Sequence, residues 1–253
     1  MRIRMYNVGF GDCFCIRDRK SSLLVDFGAA NSKIEGRPRR EVFDVIISDL
    51  TTIRKKNLLL THFHMDHLSG LLYMMKKKDI SVDFGKIYLP DVFSKKEMSR
   101  TLVLLLLADL LKESGLPSRQ VSLFALVDAL LENKQNVELL SRGKLFENKY
   151  QALWPDTDVI RKETDEVYKR ICEDGKFKEV MDVLLEFAEK LRLIVWSMTA
   201  EGNKPAETVE KETDLTASEL TEQPEVRQKI IRAYVYELSL IHISEPTRLD
   251  VIS

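Results

Sequence analysis

The chain opens with short β-rich runs separated by turn residues and only later takes up a helical period. The segments RIRMYNV (2–8), DCFCIRD (12–18) and SLLVDFG (22–28), with the glycine turn GFG at 9–11, predict a meander of strands. PRREVFDVIISDLTTI (38–53) has helical periodicity with a proline near its start, and NLLLT (57–61) predicts a buried strand that delivers the chain to His62. HLSGLLYMMKKK (67–78) then predicts a helix and GKIYLP (85–90) another strand. Strands first, then β-α-β with helices covering a sheet, give an α/β class.

From Ser94 the character changes. Two leucine-rich helical runs, 94–114 and 118–134, are broken at Gly-Leu-Pro, and their leucines predict packing rather than a cofactor site. Residues 137–155 predict a strand pair turning around Gly143, residues 159–198 a second helical block interrupted near Gly175, and residues 200–225 a polar loop or linker. There is no internal repeat. The helical blocks, at about 94–135 and 157–235, are expected to be insertions in a β framework.

With 253 residues and 44% apolar content the chain can bury a sizeable core, which excludes a disordered polymer. The longest apolar run, 102–108, stops at Asp109, too short for a membrane span, and no N-terminal segment joins a basic stretch to an apolar run, so an unexported protein is expected. Cys13, Cys15 and Cys172 make no disulfide framework; the first two share a strand face and are expected to be buried thiols, so a cytoplasmic setting is expected. The net charge of -1 hides an asymmetry: residues 1–100 carry 19 Lys and Arg against 12 Asp and Glu. Clusters at 37–40, 54–56 and 76–78 suit a polyanionic substrate, and solvated helix ends account for them as well.

The chemistry is concentrated in THFHMDH, residues 61–67, which holds three of the chain's four histidines. Neutral imidazoles and a carboxylate are ligands zinc prefers, and a catalytic site keeps a position open for water. On the strand-to-helix loop His62 and His64 can face one metal, while Asp66 and His67 turn at the helix start towards a second. Two cations held roughly 3.5 to 4 Å apart can clamp a hydroxide and a substrate oxygen. Zinc is the expected ion, and an oxygen-rich completion of the site would favour manganese.

THFHMDH resembles the His-x-His-x-Asp-His signature of metallo-β-lactamase-fold hydrolases, and LLVDFG resembles the strand end preceding it in those proteins. MYNVGFGDCFCI is similar to the opening of the branch that includes the soluble hydrolase domain of ComEC-type DNA-uptake proteins, and YQALWP to a later strand of that branch. The resemblance implies an αββα sandwich with helical insertions and a metal-dependent hydrolase. His62 and His64 would hold the first ion and Asp66 and His67 the second, with Asp66 also steering a proton. Asp26 would order the loop by hydrogen bonds, or stand simply as a strand-end turn aspartate. The substrate implied is a phosphodiester, small or nucleic acid, or another anionic ester. The same site could act on a lactone, lactam or thioester, or persist in a non-catalytic binding module.

The family pattern also calls for later histidines and a bridging aspartate, and His242 is the only later histidine. It lies in LSLIHISEPTR, 238–248, which resembles the translation of a transposon-end sequencing adapter. Residues 238–253 are therefore expected to be a foreign tail and residues 1–237 a partial domain, incomplete at its sandwich and inactive by itself.

Overall fold

The first three strands, β1 (Arg2–Met5), β2 (Phe14–Arg17) and β3 (Ser22–Val25), pair antiparallel as a meander, in a computed structural model that describes residues 1–18, 21–77, 83–113, 123–173, 178–200 and 202. A small hairpin, β4 (Lys33–Ile34) and β5 (Arg37–Pro38), follows; its turn residues Glu35 and Gly36 have φ of 48° and 80°. The sequence reading did not anticipate this hairpin, because two-residue strands leave no periodicity to read.

Helix α1 (Arg39–Thr51) leads to β6 (Lys56–Leu59), helix α2 (Met65–Met75) to β7 (Ile87–Pro90), and after the helices α3 (Ser99–Glu113) and α4 (Leu123–Glu132) the chain enters β8 (Val137–Leu140). β3, β6, β7 and β8 are parallel, so the mixed sheet runs β1-β2-β3-β6-β7-β8. The remaining elements are the hairpin β9 (Leu145–Phe146) and β10 (Tyr150–Gln151), then helices α5 (Thr157–Glu173) and α6 (Lys178–Ser197). The α/β class expected from the sequence is the class observed.

Two boundaries differ from expectation for physical reasons. Residues 137–155 do not form one strand pair: β8 pairs in parallel with β7, Ile87 opposite Val137, and the hairpin that follows turns at Glu147 and Asn148, with φ of 52° and 55°. A β-rich run does not say which strand it will join; the turn expected around Gly143 is present, with φ of 88°, between β8 and β9, and the hairpin has its own turn further on. Helix α2 begins at Met65, two residues before the expected start, because His64 is already extended as its N-cap residue. Both Asp66 and His67 consequently sit in the first turn, where a carboxylate is favoured by the unpaired backbone N–H groups.

The chain divides into two units. The first contains the six-stranded sheet with α1, α2 and α4. Alternation puts Arg4, Cys15, Leu24, Leu58, Ile87 and Val137 in one cross-strand row, and all but Arg4 are buried. Arg4 and Arg17 from this face reach Asp49 of α1, which also accepts the Tyr6 hydroxyl, so the helix is tied to the sheet at its polar edge. α1 contributes Phe43, Ile46, Ile47 and Leu50 to the core, with Phe43 edge-on to Phe27 at 5.2 Å. Cys13 and Cys15 are buried free thiols, as expected.

The second unit contains α3, α5, α6 and the β9-β10 hairpin. α3 packs on α5 through Thr101 and Thr164, whose hydroxyls are 3.0 Å apart, and Arg100 pairs with Asp165 at 2.8 Å. No helix among the described residues is long and apolar enough to cross a membrane. The breaks at 115–117 and Gly175, the polar stretch from 203 to 225, and the tail at 238–253 with His242 lie outside the described residues.

Candidate metal centre

β3 and β6 run side by side in parallel, so their carboxyl ends bring Asp26 beside Thr61. The N–H of Asp26 donates to Leu59 O at 2.8 Å, and the residue takes φ of 54°, a left-handed conformation that aspartate tolerates better than most residues. From there the backbone is sewn to α2. Phe27 N–H donates to His67 O, and Phe27 O accepts from Gly70 and Leu71; Asp12 N–H donates to Asp66 O, and Gly28 N–H to Asp12 O. Three segments thus meet at the first turn of α2 by main-chain contact alone.

Glycine is what permits that approach. A Cβ on Gly28 would lie 2.5 Å from the Asp66 carbonyl and the His67 nitrogen, and one on Gly11 would lie 2.5 Å from Gly28 O. Both distances are too short for any side chain.

Asp26 is the hub of the side-chain network and is 2% exposed. Its Oδ1 accepts Thr61 N–H at 2.8 Å, and its Oδ2 accepts the Thr61 hydroxyl at 2.7 Å and His67 Nδ1–H at 2.9 Å. Because the Thr61 proton is committed to Asp26, its oxygen can only accept from His62 Nδ1, 3.0 Å away. Both imidazoles therefore hold their proton on Nδ1 and present Nε2 as a lone pair. One buried carboxylate sets two tautomers.

The same side chains gather as a ligand set would. The ligand atoms of His62, Asp66 and His67 all lie within 4.8 Å of one another, and His67 Nε2 is 3.6 Å from Asp66 Oδ2. Two acceptors facing each other repel unless a cation or a proton lies between them, so the donor set fits a metal ion. Burial, with His67 and His64 close by, lowers the His62 pKa to about 3, which keeps that ring neutral. Burial also acts to lower the His67 pKa, but the Asp26 hydrogen bond and the charges of Asp26, Asp66 and Asp12 outweigh it and raise the value. Burial likewise pushes the Asp26 carboxyl up, opposed by His67 and Thr61.

His64 opens the helix. Its carbonyl accepts the N–H groups of His67 and Leu68 and opens α2, while its ring lies edge-on to His62 with centroids 4.8 Å apart. The expected pairing set His62 and His64 on one ion and Asp66 and His67 on a second; one grouping within 4.8 Å joins His62 with Asp66 and His67. Asp12 is the residue that sequence reasoning missed: its Oδ2 lies 3.7 Å from His67 Nδ1, and it forms a second cluster with Asp26 and His67. The signal was present as the aspartate closing the GFGD turn, far along the chain from His67.

The family model of the Metallo-beta-lactamase superfamily matches residues 6–92, a span that contains Asp12, Asp26 and the whole of residues 61–67. The mixed six-stranded sheet with its helices is consistent with that fold, and members of the superfamily are usually metallo-hydrolases. The match names the superfamily and no branch of it. No curated protein and no solved structure matches the chain.

Proposed function

We propose that the chain belongs to a two-metal hydrolase of phosphodiesters or other anionic esters, with zinc as the preferred ion and manganese as the substitute. One observation carries this reading: Asp26 holds His67 directly and His62 through Thr61, and one ligand atom from each of those rings gathers with the Asp66 carboxylate within 4.8 Å. When bound, the metal ions would supply an activated water and stabilise the charge that develops on the ester. His62, Asp66 and His67 would hold one ion, three protein ligands being the usual number at a catalytic zinc with an open position. His64, whose ring neighbours His62, and Asp12, 3.7 Å from His67, would help with a second. Asp66 would hold or pass a proton at its carboxylate as well as bind, and Asp26 would act through the two rings it orients.

The basic residues of the first hundred positions favour an anionic ester over a lactone, lactam or thioester, which the same site could otherwise hydrolyse. The test is to load the purified protein with zinc or manganese and measure bound metal together with turnover of a chromogenic phosphodiester and a lactone. Phosphodiester turnover that a chelator removes and metal restores is the expected result. Metal binding without turnover of either substrate would make the protein a binding module, and no metal binding would overturn both readings.

A further inference from the structure

Strand β1 is an outer edge of the six-stranded sheet, and every residue of it, Arg2 to Met5, is exposed. Tyr6 N–H donates to Cys13 O at 3.0 Å, and in an antiparallel pair alternate residues bond across, so Arg4 and Arg2 also turn their main-chain groups towards β2. Ile3 and Met5, the residues in between, turn theirs outwards. The register runs unbroken from Arg2↔Arg17 to Met5↔Phe14, without the bulge, proline or lysine that commonly protects a sheet edge. The N–H and C=O groups of Ile3 and Met5 therefore line an open edge.

The side chains of β1 sort by face. Ile3 and Met5 are 61% and 71% exposed and stand opposite Ile16 and Phe14, which are half-buried, so the apolar face continues from β1 onto β2. Arg2 and Arg4 lie on the other face, with Arg17 opposite Arg2. Arg4 at 2.7 Å and Arg17 at 3.0 Å share the carboxylate of Asp49, while Arg2 joins no ion pair among the described residues. Three guanidinium groups around one carboxylate leave that face cationic. A second copy of β1 is a poor match for this edge. Paired so that the faces agree, it sets arginine opposite arginine; turned over, it sets arginine opposite isoleucine or methionine.

We propose that β1 accepts an acidic partner strand, an extended peptide segment in which apolar and acidic residues alternate, added antiparallel to the edge. Its carboxylates meet Arg2 and Arg4 on one face, its apolar side chains meet Ile3 and Met5 on the other, and main-chain bonds to Ile3 and Met5 supply affinity. Residues directly opposite each other share a face, so the partner residues that bond to the edge are its apolar ones. Neither metal ions nor hydrolysis enters into this recognition.

The full chain is titrated into a fluorescein-labelled octapeptide of alternating valine and glutamate, and anisotropy is read. The comparison peptides are the same residues in two blocks, and the alternating peptide N-methylated either on its valines or on its glutamates. Saturable binding of the alternating peptide is expected, with the block peptide at least about tenfold weaker. Methylating the valines removes the donors aimed at Ile3 and Met5 and is expected to cost at least about tenfold, whereas the glutamate N–H groups face away and their methylation changes affinity by about twofold or less. Arg2→Glu is expected to weaken binding about fivefold. Ile3→Pro removes an outward N–H and none that bonds to β2, and is expected to weaken binding about tenfold, with hydrogen exchange of the β2 and β3 amides at wild-type protection. No saturable binding, equal binding of the two N-methylated peptides, or an affinity unchanged by both Arg2→Glu and Ile3→Pro overturns the strand addition. A dimer in sedimentation velocity that Ile3→Pro dissolves would make a second copy the occupant and overturn the acidic partner.

Discussion

Buried polar groups behave differently in the two units. In the helical unit Thr101 and Thr164 face each other at 3.0 Å, Thr164 also donates to Ile160 O, and Ser99 bonds Lys96 O and Glu189, so these hydroxyls satisfy one another inside the packing. In the sheet unit Asp26 likewise takes three hydrogen bonds, but those from the Thr61 hydroxyl and His67 Nδ1 also orient the His62 and His67 rings. The first arrangement closes a network; the second aims one. The contrast separates a polar group that stabilises from a polar group that positions, and burial alone does not distinguish them.

The sharpest way to break the contrast is to remove the aimed atoms. His62→Ala with His64→Ala is expected to abolish metal binding and any hydrolysis, while hydrogen exchange at the α3 and α5 amides stays at wild-type protection. Stoichiometric metal in the double variant, read by atomic emission after gel filtration, would show that the ligands lie elsewhere. His67→Ala should behave the same way and has the added effect of leaving Asp26 buried with one partner fewer.

Next in size is the glycine contact. Gly28→Ala forces a Cβ to within 2.5 Å of the Asp66 and His67 backbone, and a backbone cannot swing aside as a side-chain tip can. A loss of about 3 kcal/mol in denaturant unfolding, accompanied by loss of metal, is expected from overpacking at a rigid site. Gly143, in the helical unit, is the control. It has φ of 88° and nothing within 4 Å of its missing Cβ, so Gly143→Ala carries only the backbone penalty, about 1 kcal/mol, with metal unchanged. Equal costs at the two glycines would show that steric approach at α2 is not what fixes the motif.

How legible these features were follows from the same physics. The motif 61–67 could be read at once because its ligands are adjacent in sequence, and the strands β3, β6 and β7 could be read because their apolar runs are short and bounded by turns. Asp12 could not, since its relation to His67 depends on two main-chain bonds, Asp12 to Asp66 and Gly28 to Asp12, that no periodicity encodes. Asp26 was visible as a strand-end aspartate, but its hold on His62 through Thr61 needed the parallel register of β3 and β6. The pairing of β8 with β7 was hidden for the opposite reason: the run was seen, and its partner was not. Helices α5 and α6 were legible as amphipathic blocks, and the helical blocks carried no chemical motif to read beyond packing.

A smaller effect tests Asp26 as the aiming group. Asp26→Asn keeps the size and one acceptor oxygen but removes the charge and cannot accept from Thr61 and His67 as a carboxylate does. Metal affinity is expected to fall roughly 10- to 100-fold, the usual range for a partner that orients a ligating histidine. Calorimetric titration with zinc reads this directly, and an affinity equal to wild type would reduce Asp26 to a turn residue at a strand end.

The smallest expected effect lies in the closed network of the helical unit. Thr164→Val leaves the buried Thr101 hydroxyl without its facing partner, and an unsatisfied buried hydroxyl costs about 1 to 3 kcal/mol. Replacing both, Thr101→Val with Thr164→Val, removes the pair together and substitutes two apolar groups of similar shape, so the double variant should be more stable than the sum of the single variants implies. Neither change should alter zinc affinity, since both threonines belong to the helical unit. A double-mutant cycle in urea measures the coupling. Strict additivity would mean that the two hydroxyls do not depend on each other, and a change in zinc affinity would mean that closed and aimed networks are not separable in this molecule.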